Sequence, residues 1–313
     1  MCGRYVSPDE AALERYWNLR RPGSPFVGVQ GSADSAKINY NTVPTKMVPV
    51  ERVGKDGPEI VAMRWGMDRK DWATGEVQVA KLNNARIEGV RTVKPFAAPF
   101  KSGQRGLQLV MGYYEWKEKA KPPKWKVRIP HYIRPTDQGE TFALACVFDF
   151  GIESPDVLTC AVITMDATGR LADIDERMPA IVRLEDRDTW LNGTPEEAFA
   201  CLRPYPDDLL EITRVRQEVG SSRASGAQLI EPDPNPEVEL PTDDEIEAER
   251  LRESAAKARK EAERAEAKQR KEADKAAAKA EKERDREAER VRRAQERQDE
   301  KSKASKPDQG NLF

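Results

Sequence analysis

The chain has 313 residues, 38% hydrophobic and 35% charged, and a formal net charge of −2. A balance so close to neutral neither announces a nucleic-acid binder nor rules out one with a local basic groove. Four cysteines without a CxxC pair and a single histidine exclude a Cys/His structural zinc site. With no signal peptide and no run of ~20 apolar residues, the protein is expected to be cytoplasmic and reduced.

The chain opens on "MCGRY". Cys2 is either incidental or becomes the N-terminal residue once Met1 is removed, and then carries a free amine and a thiol on adjacent carbons. "SPDEAALERYWNL" predicts a first helix, with Ser7 as N-cap, Pro8 in the first turn and Glu10 completing a capping box. The segments "KMVPVERV", "EIVAMRWGM", "LQLVMGYYEW", "KWKVRIPHYI", "TFALACVFDF" and "VLTCAVITM" are apolar, β-branched or aromatic. Gly, Pro and charged clusters separate them, so they predict strands. Cys146 and Cys160 fall in such runs and are expected to be buried thiols. "NNARIEGV" predicts a helix, as does "TPEEAFACLR", with Thr194 and Glu197 as a capping box. Strands in series with helices around them predict an α+β domain, mostly antiparallel sheet, over residues 1–232.

"EPDPNPEVELPTDDE" predicts a Pro/acid linker at 233–244. Residues 245–303 are almost entirely Ala, Glu, Lys, Arg, Asp and Gln, with no a/d seam, so a coiled coil is not expected. The expectation is a single charged helix, supported by pairs such as Glu289/Arg293, or a disordered tail that keeps the protein soluble. In the last segment, 304–313, "QGNLF" brings Leu312 and Phe313 to the chain end. The peptide resembles the bacterial sliding-clamp-binding pentapeptide, with Gln309 first, although Gly310 stands where that motif has leucine.

Six pieces share one order: "MCGRY"; "YNTVPT" with Asn41 and Pro44; "RWG" with Trp65; "LNNARIEGV" with Asn84 and Arg86; "GYYEWKE" with Glu115 and Trp116; and "TMDATGRLADIDERMPAIV". Together they resemble the SOS-response-associated peptidase (SRAP) family, over about residues 2–232. The resemblance implies a protein that processes abasic sites in single-stranded DNA, in a bacterial or phage-infected cell and at the nucleoid. It implies no cofactor and no metal. An exposed Cys2 amine can add to the aldehyde of an open abasic sugar, and the thiol can close the imine to a thiazolidine. Only a Cys at the N-terminus offers both groups. The resemblance further implies that Asn84 holds the N-terminal residue and that Glu115 moves protons. It implies that Arg4 and Arg86 meet phosphates and that Trp65 and Trp116 stack on bases, with Pro44 and Thr164 contacting the same strand. A carboxylate flanked by Tyr113, Tyr114 and Trp116 is expected to be desolvated and to titrate high.

One position departs from the family: Asp175 stands where the pattern has a histidine that assists ring opening and strand-cleaving side chemistry. An aspartate is a poor acid at pH 7, so cross-linking is expected to survive with weakened lyase activity. His131, in "RIPHYIRP", is expected to be an unrelated surface or structural residue. Two other readings stay open. One is an N-terminal-nucleophile hydrolase of amidotransferase type, several of which begin with MCG. The other is a non-catalytic single-stranded-DNA adaptor.

Overall fold

The computed structural model describes residues 2–31, 37–71, 73–119, 127–236 and separate residues between 247 and 293. The runs predicted as strands form strands. In chain order the strands are β1 (Tyr5–Ser7), β2 (Asn39–Thr42), β3 (Met47–Gly54), β4 (Gly57–Trp65), β5 (Met67–Lys70), β6 (Val77–Leu82) and β7 (Asn84–Arg86). They continue as β8 (Arg105–Val110), β9 (Gly112–Lys119), β10 (Val127–Pro135), β11 (Phe142–Phe150), β12 (Leu158–Asp166), β13 (Arg177–Pro179) and β14 (Leu210–Arg214). Among the described residues of 1–240, four α-helices accompany them: α1 (Glu10–Arg20), α2 (Lys94–Lys101), α3 (Arg187–Asn192) and α4 (Pro195–Ala200).

One sheet runs β14-β10-β9-β1-β2 and is antiparallel throughout. The second runs β11-β8-β3-β4-β12-β13, with β7 also on β12. Because β11 pairs with β12 as well, that path closes on itself into a ring. Its strands are buried on both faces, which is why "FALACVFDF" reads as an unbroken apolar run rather than an alternating one. β12 runs parallel to β4 and β7, an exception to the otherwise antiparallel pairing. A small hairpin of β5 and β6 completes the set. The stretch "LQLVMGYYEW" is divided at Met111: β8 belongs to the ring and β9 to the open sheet. Tyr5, Tyr113 and Ile133 of the open sheet join the ring's residues in one core.

Two local expectations are corrected. Ser7 pairs with Asn39 in β1 and cannot cap α1. The N-cap is Asp9, whose carboxylate accepts the Ala12 N–H, so Pro8 lies before the cap. "NNARIEGV" is not a helix. Asn84–Arg86 form β7 on the buried β12, with Ala85 wholly buried in the core. Partnership with a core strand outweighs the local helix pattern there. The Thr194/Glu197 capping box is present at α4.

The chain divides into two units, 1–240 and 241–313. In the second, the described residues are helical, with ion pairs Arg259–Glu263 and Glu289–Arg293 at 3.1 and 2.7 Å. The predicted linker at 233–244 lies partly outside the described residues, and residues 304–313 lie wholly outside them.

Candidate active site

Register places the N-terminus. Tyr5 pairs with Tyr113 and Val6 with Gly112, and the Tyr114 N–H donates to the Arg4 carbonyl at 2.9 Å. Continued backwards, this antiparallel register brings Cys2 and Gly3 level with Trp116 and Glu115. From the other side, β7 presents Asn84, whose Nδ2 donates to the Cys2 carbonyl at 2.7 Å. β7 is itself fixed by β12 and by the Trp65 indole, which donates to the Asn83 carbonyl at 2.9 Å.

Cys2 is 1% exposed and Glu115 3%. Burial pushes the Glu115 carboxyl up to about 8; the positive amino terminus opposes that rise and Asp175 adds to it. Burial likewise raises the Cys2 thiol well above its ordinary value, and the neighbouring Glu115 adds to the rise. Burial thus favours the uncharged form of both the thiol and the carboxyl. Asp175 is close enough to act on both. Its carboxylate accepts the Arg177 N–H at 2.9 Å, and its own N–H donates to Leu171. The four residues named from the motifs for chemistry, Cys2, Asn84, Glu115 and Asp175, thus fall in one place.

The residues expected to meet DNA are more scattered. Arg86 is exposed on β7. Trp116 is half-buried, with the Arg4 guanidinium 5.7 Å from its ring centroid. Arg4 Nη1 donates to Asn41 Oδ1 and to the Val219 carbonyl, both at 2.7 Å, and Nη2 to the Gly220 carbonyl at 3.3 Å. Three of its N–H groups therefore serve the fold. Asn41 extends that clamp, donating to the Ser221 and Ala224 carbonyls. Pro44 is half-buried in the turn before β3. Trp65 departs from its expected role: it is wholly buried, 4.8 Å from Tyr5 between ring centroids, and has no face to offer a base. Thr164 is buried at 1% and pairs with Arg86 and Pro179, so its side chain is equally withdrawn. Gln309, Leu312 and Phe313 lie outside the described residues.

Two features were not foreseen. Arg177 grips both oxygens of Glu88 at 2.8 and 3.1 Å, Asp166 at 2.5 Å and the Thr164 carbonyl at 2.7 Å. It so ties the segment after Asn84 to the strand after Asp175. His131, read as unrelated, stands directly opposite Glu115 on β10. Motif order hinted at the first, but nothing in "RIPHYIRP" names a cross-strand partner.

A sequence model of the SOS response associated peptidase (SRAP) family matches residues 1–222. Abasic site processing protein YoqW of Bacillus subtilis is 29% identical over 198 residues, 62% of this chain and 85% of that protein. Abasic site processing protein HMCES of Rattus norvegicus is 24% identical over 269 residues, 74% of this chain and 76% of that protein. A crystal structure of a protein from Bacteroides thetaiotaomicron shares the fold with a TM-score of 0.59 at 20% identity, covering 74% of this chain and 99% of that one. With a closed ring and an open sheet holding Cys2 between Asn84 and Glu115, and a family match over residues 1–222, the chain belongs to the SRAP family.

Proposed function

We propose that the protein, after losing Met1, joins Cys2 to the aldehyde of an abasic site in single-stranded DNA as a thiazolidine, shielding the lesion during replication. The observation that carries this reading is a buried Cys2, its carbonyl held by Asn84, close to an equally buried Glu115 carboxyl that burial pushes up to about 8. The printed names of the relatives, abasic site processing proteins, agree with it.

The chemistry balances on that one acid. An α-amine titrates near ~7.7–8.0, so a useful share is neutral at pH 7. The Cys2 amine adds to the aldehyde carbon; its nitrogen loses a proton and the aldehyde oxygen gains one, giving a carbinolamine. Glu115 gives its proton to that hydroxyl, which leaves as water while the C=N bond forms. The Glu115 carboxylate then takes the thiol proton as the Cys2 sulfur adds to the imine carbon. One water is released and Glu115 ends protonated. The exposed Arg86 and the half-buried Trp116 would meet the flanking strand. In the same reading, Gln309, Leu312 and Phe313 tether the domain to a sliding clamp, raising its local concentration where lesions appear.

Intact mass spectrometry after incubation with an abasic single-stranded oligonucleotide tests this. The expected product has lost Met1 and gained the oligonucleotide less one water, and Cys2→Ala gains nothing. No adduct, or an adduct that survives Cys2→Ala, refutes it. Glutamine hydrolysis without an adduct would move the assignment to the amidotransferase-type alternative.

A further inference from the structure

We propose that His131, the chain's single histidine, is a positioning residue of this site that acts through Glu115, taking up a solvent proton to pair with that carboxyl while it is charged. The inference rests on the cross-linking function proposed above.

The placement follows from register. β9 and β10 run antiparallel, with Tyr113 opposite Ile133 and Glu115 opposite His131. Tyr113 and Ile133 are both wholly buried in the main core, which fixes the face they share. Side chains alternate along a strand, so Glu115 and His131, each two residues further on, lie on that face too. Directly opposed residues place their Cβ atoms about 4.5–5.5 Å apart. Glu115 is almost sealed, whereas His131 is half-buried. His131 therefore stands beside the buried carboxyl with part of its own surface open to water.

The ring's tautomer is also set. His131 Nδ1 lies 3.0 Å from the Ile129 carbonyl, which can only accept, so Nδ1 carries the hydrogen. In the neutral ring Nε2 is then the basic nitrogen. The charged and titratable groups around it are Glu115 and Lys117 on β9 and Arg214 on β14, the last paired with Asp233 at 3.0 Å. Burial first, then the charges of Lys117 and Arg214, hold the imidazole below its ordinary value against the pull of the Ile129 bond. His131 is thus neutral at pH 7, able to take a proton when a negative charge forms opposite it.

That moment occurs in the proposed reaction. Once Glu115 has protonated the departing hydroxyl, it is a carboxylate in a site with little water. A solvent proton bound at Nε2 then faces the carboxylate as an ion pair that holds its charge, and returns to solvent once Glu115 has taken the thiol proton; no proton passes between the two side chains, so the balance of the reaction is unchanged.

Single-turnover cross-linking to an abasic oligonucleotide, followed across pH, tests the pairing. In His131→Ala the rate at pH 7 is expected to fall at least about tenfold, less than the ~10²–10⁴-fold of a group that transfers the proton itself. Added imidazole should restore it, while leaving the wild-type rate unchanged. His131→Gln fills the space without a titrating nitrogen and should be as slow, without rescue. A full rate in either variant, or a slow folded His131→Ala that imidazole does not speed, overturns the inference. If His131→Ala does not fold, the rate of His131→Gln decides alone. A wild-type protein that forms no adduct overturns the cross-linking function itself, and this inference with it.

Discussion

Replacing Glu115 by Gln should make the protein more stable at alkaline pH while disabling its chemistry. The carboxyl moves from an ordinary 4.5 to about 8 on folding, and each pH unit between those values is worth 1.36 kcal/mol. The sign follows from proton counts. Below pH 4.5 the group is protonated both folded and unfolded and contributes nothing. Above it the unfolded chain releases the proton and the folded one keeps it, so stability falls as pH rises. The loss reaches about 3 kcal/mol at pH 7 and roughly 4–5 kcal/mol once pH passes the folded value, a large share of a typical 5–15 kcal/mol total. Glu115→Gln removes that slope. Urea denaturation of wild type and variant, both retaining Met1, at pH 5 and pH 8 reads it directly. The variant should gain less than about 1 kcal/mol at pH 5 and several at pH 8, and its cross-linking rate should drop about 10²-fold or more. A stability difference that stays level between the two pH values would refute the claim that burial holds this acid neutral.

Asn84→Ala removes the bond to the Cys2 carbonyl and should slow cross-linking about 10-fold or more, from ~1–3 kcal/mol of lost positioning; unchanged rates would show that β1 alone places the nucleophile. Trp116→Ala should weaken binding of abasic single-stranded DNA by ~1–3 kcal/mol with little change in melting temperature. Trp65→Ala should do the opposite, costing roughly 3–5 kcal/mol of stability, and calorimetry with fluorescence titration separates the two. Asp175→His should speed any strand cleavage or cross-link reversal on abasic oligonucleotides, and equal rates in both steps would remove Asp175 from the mechanism. Deleting residues 309–313 should abolish sliding-clamp pull-down and leave cross-linking in vitro intact; retained pull-down refutes the terminal motif.

The proposed nucleophile and its proposed acid stood out in the sequence because each needs unusual company. Cys2 matters only at the chain end, and Glu115 announces its burial through Tyr113, Tyr114 and Trp116 on one strand. Trp65 misled, since a tryptophan in a turn-flanked motif looks the same whether it faces DNA or the core. Here Tyr5 and the Asn83 carbonyl claim both its ring and its N–H. The helix expected from "NNARIEGV" failed because strand partners lie far off in sequence: Asn84 pairs with Val162. His131 and Glu115 lie on consecutive strands, but no local pattern gives the register that opposes them, nor the break at Met111 that sends one apolar run into two sheets. Local patterns speak for propensity and exposure, while register is settled only when the whole sheet assembles.

The clamp of Arg4 on Val219 and Gly220 spans almost the whole domain. The segment that leads from Cys2 into β1 is thus held by a loop 215 residues further along the chain, so losing that loop would loosen the setting of Cys2 without touching Asn84 or Glu115.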